Sequence, residues 1–373
     1  MSALGAVQPL EMRVPIVPAV RTPSVTSVRE VLSASRDSEL RSLFQGSQAV
    51  FDEIAAQNFP RWVVTFSGGK DSTLTTILAV DYLLERKQRP KLEIVYSDTL
   101  QEIPNMRDAA SRMLWFLRRL SKPTGIDIRV HVVVPPLRDR FWVKMIGKGY
   151  PPPGPIFRWC TERLKINPSK PLVYTGQRTA VLTGVRFGES ANRTGRLNSS
   201  CSGGECGQSV WMRQAGRSHE IGYFAPILRW PTCKVWDFLH FVGPDAGWQT
   251  APVYALYGDT NLRFGCWNCS LVTKDRTTEA LIQREQSPGL KILRDFREYM
   301  ISECKKPQHR LMRDGHMGPL SLEFRRELLR KLLVAQQQSG MVLIDPEEIR
   351  EIHAIWRRDR TAIAAMPRAW CPT

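Results

Sequence analysis

The chain has 373 residues, 42% of them hydrophobic and 24% charged, the composition of a folded soluble protein with room for one large α/β domain and a smaller appendage. No apolar run reaches the roughly 18 residues of a membrane span, and the first twenty residues lack the basic start and apolar core of a signal peptide, so no membrane association and a cytoplasmic location are expected. Lys and Arg number 53 against 36 Asp and Glu, a formal charge of +17 that points to a polyanionic partner, nucleic acid first.

Residues 1–58 read as an N-terminal extension: prolines at positions 9, 15, 18 and 23 precede a helical stretch from Val28 to Gln57. Residues 59–247 form the main domain. Its first strand is Trp62 to Phe66, followed at once by Ser67-Gly-Gly-Lys-Asp-Ser72 and by a helix carrying Leu74, Ile77 and Leu78 through Leu84. A second strand, Leu92 to Tyr96, ends in Ser97-Asp98-Thr99. A helix over Asn105 to Leu120, a β-branched strand over Ile126 to Val134 and a fourth strand over Thr179 to Val185 complete the pattern. Strands alternating with helices predict a doubly wound, mainly parallel α/β sheet whose strand-end loops gather at one edge, where ligands sit. Residues 248–373 read as a cysteine-pair loop and a mostly helical C-terminal region. There Phe324, Leu328, Leu329, Leu332 and Leu333 share a face, and Asp345-Pro-Glu-Glu348 has the form of a capping box opening a helix with Ile349, Ile352 and Trp356.

The hexapeptide between the first strand and helix has the residues an anion site needs. Gly68 and Gly69 allow a tight turn and close backbone approach, Ser67, Ser72 and Thr73 offer hydroxyls, and Lys70 adds a positive charge beside a helix N-terminus. Asp71 repels phosphate, which leaves it a metal-mediated or loop-ordering role. The pattern is not a Walker A loop. Asp98, at the same sheet edge, either meets the nucleotide or caps the next helix. After the fourth strand comes Gly184-Val-Arg-Phe-Gly-Glu-Ser190, with Asn192 and Arg193. Arg186 and Arg193 are expected to fork onto phosphate oxygens, with Glu189 ordering them or a metal.

Between these loops, Arg138, Arg140, Lys144, Lys148, Arg158, Arg163 and Lys165 alternate with Trp142, Phe157 and Trp159. Such a mixture suits gripping a backbone while stacking on bases, or building a core. Eight cysteines in a chain without an export signal favour metal, cluster or redox roles, or burial, over a disulfide framework. Cys266-Trp-Asn-Cys269 has the spacing of two zinc or iron–sulfur ligands. Cys160, beside the basic stretch, and Cys206 are the leading further candidates, with Cys201 the rival of Cys206. Cys233, Cys304 and Cys371 read as ordinary residues.

The loop resembles the SGGxDS signature of the PP-loop superfamily, and GVRFGES resembles the phosphoadenylylsulfate reductase branch of it. Together with FWVKMIGKGYPPP, FRWCTERLKI, RFGCWNC and GPLSLEFRRELLRKLL, these segments are similar to the DndC family of DNA phosphorothioation enzymes and to its homologue in the Ssp modification system. That resemblance implies a fold of the PP-loop type and an ATP pyrophosphatase that uses ATP and Mg2+, with Lys70 and Asp71 catalytic and Ser67 to Ser72, Asp98, Arg186 and Arg193 around the nucleotide. It further implies DNA as substrate, a 4Fe–4S cluster on Cys160, Cys266, Cys269 and Cys206 or Cys201, and partners comprising a cysteine desulfurase and other proteins of a DNA sulfur-modification system. Tyr257 to Leu262, where the family often supplies a cysteine, has none. Transfer of sulfur to tRNA, reduction of a sulfonucleotide and a non-catalytic Fe–S DNA-binding module are the rival functions.

Overall fold

The computed structural model describes residues 23–87, 89–187, 210–215, 220–257, 265–285, 287–313 and 315–364. Strand β1 (Arg61–Phe66) is buried at every position but Thr65, as expected of a strand covered on both faces. It lies between β2 (Lys91–Ser97) and β4 (Thr179–Leu182); β3 (Ile128–Val133) flanks β2, and β6 (Glu220–Phe224) flanks β4. These five strands are parallel, and β5 (Val210–Ala215) pairs antiparallel with β6 at the edge. The order β3-β2-β1-β4-β6-β5 is doubly wound, with direction of travel reversing between β1 and β4. In such a sheet the crevice beyond the strand ends at the reversal is where a ligand fits.

The pleat sends Val63, Val95 and Val181 to one face, where Val173 and Ile221 join them. Trp62, Val64, Ile94 and Leu182 face the larger core on the other side. Helix α3 (Lys70–Leu84) is buried continuously from Ser72 to Leu83, with Thr75 and Thr76 returning their hydroxyls to the backbone carbonyls of Asp71 and Ser72, so it is covered on all sides rather than amphipathic. α4 (Pro104–Thr124) instead buries one face through Met106, Ala110, Met113, Leu114 and Leu117.

The single N-terminal helix expected over 28–57 is two, α1 (Val28–Ala34) and α2 (Ser38–Ala56). The break falls at Asp37, whose side chain accepts from the Leu40 N–H and caps α2 at 2.9 Å. Phe51 of α2 stacks on Trp62 and Tyr82, so this part of the extension shares the main core. The expected strand Thr179–Val185 stops at Leu182 because the chain there turns across the start of α3. The hairpin of β5 and β6, and that of β7 (Arg310–Arg313) and β8 (His316–Leu320), had no counterpart in the sequence reading.

On the C-terminal side, α5 (Asn167–Val173), α6 (Thr232–Asp237), α7 (Ala251–Tyr257) and α8 (Arg276–Glu285) precede α9 (Pro288–Glu303), α10 (Leu322–Ser339) and α11 (Pro346–Ala364). The last helices clamp a π-helical turn at Val143–Gly147. Trp356 Nε1 donates to the Ile146 carbonyl at 3.0 Å and Trp142 Nε1 to that of Leu343 at 2.8 Å. The capping box is reciprocal: Glu348 N–H donates to Asp345 Oδ1 and Asp345 N–H to Glu348 Oε2. Among the described residues no helix is long and apolar enough to cross a membrane.

At the opposite end of the sheet from the crevice, Arg61 forks onto Glu93 at 2.6 and 3.0 Å, and Lys91 joins at 2.6 Å. Burial alone would raise the Glu93 pKa, but His131, Arg61 and Lys91 together hold it well below the ordinary carboxylate range. Because the folded pKa is depressed, this stabilisation is present above the unfolded value of about 4.3 and is lost as pH falls. Replacing Glu93 by Gln leaves Arg61 buried with an uncompensated charge. Chemical denaturation at pH 7 should show a loss of about 3–5 kcal/mol, and the variant should lose less stability than the wild type on acidification from pH 5.

Candidate active site

The loop between β1 and α3 is shaped by glycine and by one serine. Gly68 has φ +77°, and a Cβ there would lie 2.7 Å from the Ala110 Cβ of α4, so no other residue fits. Ser72 turns back into the loop: its Oγ accepts from the Ser67 N–H at 3.2 Å and donates to the Gly69 carbonyl at 3.0 Å. Gly69 is the N-cap of α3 and supplies no side-chain cap. The first N–H groups of a fifteen-residue helix therefore lack side-chain caps, which is the electrostatics of an anion site. Thr73 is fully buried with its hydroxyl unpartnered.

The loop after β4 closes the other side. Gly184 crosses the start of α3 so closely that a Cβ would lie 2.8 Å from the Asp71 carbonyl carbon and 2.9 Å from the Ser72 nitrogen. Two residues on, Arg186 is buried. Its Nε donates to Asp71 Oδ1 at 2.6 Å, and its terminal nitrogens donate to the Trp230 carbonyl at 2.9 Å and to Thr232 Oγ1 at 3.2 Å. Lys70 Nζ meets the other Asp71 oxygen at 2.9 Å and sits 5.7 Å from the centre of the Tyr257 ring. Arg186, expected to fork onto phosphate, is engaged here by Asp71, Trp230 and Thr232. Its nitrogens are turned inward, and Asp71 is paired with both Arg186 and Lys70. Glu189, Ser190, Asn192 and Arg193 lie outside the described residues.

Asp98 follows β2 and is buried. One carboxylate oxygen accepts from the Leu100 N–H at 2.9 Å, stabilising a turn in which Leu100 takes φ +64°. The other binds Arg107 of α4 at 2.8 Å. It is therefore a turn-ordering group that braces the first turns of α4.

The same turn carries the cysteine pair. Glu102 and Cys266 form an isolated antiparallel bridge, Trp267 N–H donates to the Gln101 carbonyl at 3.0 Å, and Asn268 Nδ2 donates to Gln101 Oε1 at 2.6 Å. Arg297 of α9 holds the far side through the carbonyls of Cys269 and Val272. Cys266, Cys269 and Cys160 share one electrostatic neighbourhood around Lys165. Desolvation pulls the ammonium pKa down, but Cys266, Glu102, Cys160 and Cys269 together hold it above its ordinary value. Burial pushes the Cys266 thiol up to about 12, against the opposing pull of Lys165, and burial likewise raises Cys160. Burial and then Asp98 raise Glu102, one of whose oxygens has no partner.

Among the described residues no three His, Cys, Asp or Glu side chains stand close enough to hold one metal ion. A cluster differs in that each thiolate ligates a separate iron. Cys160, Cys266 and Cys269 are free thiols of intermediate exposure, and all three act electrostatically on Lys165. Cys201, Cys206 and Cys371 lie outside the described residues; Cys233 is exposed and Cys304 buried. The sequence reading placed Lys165 only in a basic stretch and did not single out Thr99, Glu102 or Gly184. A glycine directly after a strand was the one available signal for Gly184.

A doubly wound sheet with an uncapped helix N-terminus at its reversal point defines a nucleotide-binding α/β protein. Residues 61–272, more than half of the chain, match the phosphoadenosine phosphosulfate reductase domain, and the chain belongs to that family. Two uncharacterised proteins of Methanocaldococcus jannaschii are similar to it. MJ0066 is 27% identical over 216 residues, 56% of this chain and 35% of that protein, and MJ0973 is 26% identical over 207 residues, 55% and 40%. The chain thus spans well under half the length of these relatives. Among solved structures, the phosphoadenylyl-sulfate reductase of Candida auris in its phosphate complex aligns with TM-score 0.36 and 16% identity over 64% of this chain and 98% of that one. The ATP complex of Candida glabrata FMN adenylyltransferase gives 0.33 and 13% over 57% and 60%. These likenesses are partial, and the strand order carries the fold assignment.

The contact between Gly184 and the start of α3 leaves no room for a methyl group. Gly184→Ala should weaken nucleotide binding at least about tenfold, equivalent to 1.4 kcal/mol, by isothermal titration calorimetry. Gly46→Ala, where nothing lies within 4 Å of the added carbon, should bind as the wild type does.

Proposed function

We propose that the protein is an ATP pyrophosphatase that adenylates a non-bridging oxygen of a DNA backbone phosphate so that sulfur can replace it. The observation that carries this reading is that two kinds of chemistry share one sheet edge. The uncapped N-terminus of α3 follows β1, and the turn following β2 docks the cysteine pair. The charge of +17 supports a nucleic-acid substrate over a small sulfonucleotide.

In this mechanism the first-turn N–H groups of α3 and Lys70 hold the β- and γ-phosphates of ATP. Mg2+, when bound, would supply charge neutralisation of the phosphates, while Asp71 and Asp98 remain engaged by Lys70, Arg186 and Arg107. The phosphodiester oxygen attacks the α-phosphorus, and pyrophosphate leaves toward Lys70, which neutralises it. A phosphate oxygen is a poor leaving group, whereas the same oxygen carried away within AMP is a good one. A sulfur nucleophile then takes its place on the DNA phosphorus. A 4Fe–4S cluster on Cys160, Cys266, Cys269 and either Cys201 or Cys206 would supply a sulfur or electron relay there. The sulfur would come from a cysteine desulfurase acting with the other proteins of a DNA sulfur-modification system.

The family match favours sulfonucleotide reduction as the second reading. That reaction needs a redox-active cysteine in a defined sequence context, which Cys371, in Ala-Trp-Cys-Pro-Thr, lacks. Mass spectrometry of nuclease-digested DNA and tRNA from cells carrying the complete gene cluster separates the readings. Sulfur-linked deoxydinucleotides should appear with the wild type and be absent with Lys70→Ala and with Cys266→Ser. Their absence with expressed wild type would contradict the DNA reading. Thiolated nucleosides in tRNA would replace it with tRNA as substrate, and sulfite release from a sulfonucleotide with reduction.

A further inference from the structure

The segment Tyr150-Pro-Pro-Pro-Gly-Pro-Ile-Phe-Arg158 leads directly into Trp159 and Cys160, and neither the nucleotide loop nor the cysteine group uses its tip. Ile156 is fully exposed and Phe157 is half exposed. A single exposed apolar side chain is ordinary, but this one stands on a loop built to hold it still. Four prolines fix the backbone. Gly154 N–H donates to the Phe157 carbonyl at 3.1 Å and closes the tip. Trp159 Nε1 donates to the Pro151 carbonyl at 3.0 Å, and Ser270 Oγ, one residue past the cysteine pair, donates to the Pro153 carbonyl at 2.6 Å. Phe157 stacks on Tyr150, which packs edge-on against Trp159.

The surroundings are basic. Lys148 and Arg158, which flank the loop on either side in the chain, are exposed, and no carboxylate lies between them in the sequence. A rigid apolar point flanked by exposed cations, on a chain of net charge +17, is complementary to a nucleic-acid duplex: the cations hold phosphates, and the point enters the base stack. Because the loop is braced in advance, little ordering accompanies its insertion.

Building on the DNA reading above, we infer that this loop is a wedge. Ile156 enters double-stranded DNA at one base step, and Phe157, supported by Tyr150, receives the unstacked base. Insertion widens and kinks the step, which turns the adjacent phosphate outward. The hydrogen bond from Ser270 to Pro153 ties the wedge to the cysteine-pair loop, so the kinked step is held on the cysteine side of the site.

The test uses the full chain with its partner proteins on plasmid DNA that carries modification sites, treated with permanganate, which oxidises unstacked thymines. The wild type should make thymines reactive within a few base pairs of the modified phosphates. The double variant Ile156→Ser, Phe157→Ser should lower that reactivity about tenfold, and Ile156→Leu should restore it when Phe157 is kept. Bound wild type with no reactive thymines would overturn the wedge and leave the DNA reading standing. Undiminished reactivity in the double variant would also overturn it, as would loss of partner-protein binding alone, which would make the tip a protein-docking surface. Failure of the wild type to bind DNA at all would overturn both readings.

Discussion

Asp71 is held between two cations, Lys70 on its own helix and Arg186 from the loop after β4, and the geometry of the crevice depends on that arrangement. The carboxylate is the second residue of α3, and the guanidinium is anchored by the Trp230 carbonyl and Thr232. One ion pair therefore joins β4, the segment after β6 and the start of α3. The contact is feasible only because Gly184 lets two backbones touch and Gly68 lets the loop pass under α4. Arg186 is buried, so removal of the carboxylate would strand a charge in a place water cannot reach. That cost exceeds what an exposed ion pair contributes.

The topology explains why the cysteine group stands near this loop despite its distance in sequence. In a parallel sheet every strand delivers its following loop to the same edge, so the turn after β2 and the loop after β1 are neighbours whatever their spacing in the chain. The Cys266 to Cys269 segment reaches that edge from far along the chain by pairing with the turn at 101–103. It is held there from behind by Arg297. Asp98, by ordering the turn and binding Arg107, supports the surface on which the cysteine segment docks. The C-terminal helices matter to the site chiefly through this bracing and through their clamp on the π-helical turn that precedes the proline-rich loop.

Features that depend on neighbouring residues were legible in the sequence. The apolar run from Trp62 to Phe66, the two glycines after it and the long helix announced the nucleotide loop because strand, turn and helix preferences all act within a few residues. The capping box at Asp345 and Glu348 is equally local. Features that depend on which distant charges meet were not legible. Arg186 looked like a phosphate ligand, since a sequence shows that an arginine follows a strand but not that Asp71, 115 positions away, will claim it. Glu102, and the part Lys165 plays beside the cysteines, were hidden for the same reason. The break between α1 and α2 was missed although Asp37 is a good cap and residues 33–39 are polar apart from Ala34. Strand β4 ends early because of a tertiary close approach that no propensity encodes.

The central claim is that the α3 N-terminus holds the β- and γ-phosphates so that attack falls on the α-phosphorus. Phosphorus NMR of ATP turnover by the purified protein with its partners and target-bearing DNA reads this directly. The account predicts AMP and pyrophosphate as the products, formed only when DNA is present. ADP and inorganic phosphate would contradict it, because they would place the cleaved bond at the γ-phosphate and make the loop serve a different reaction.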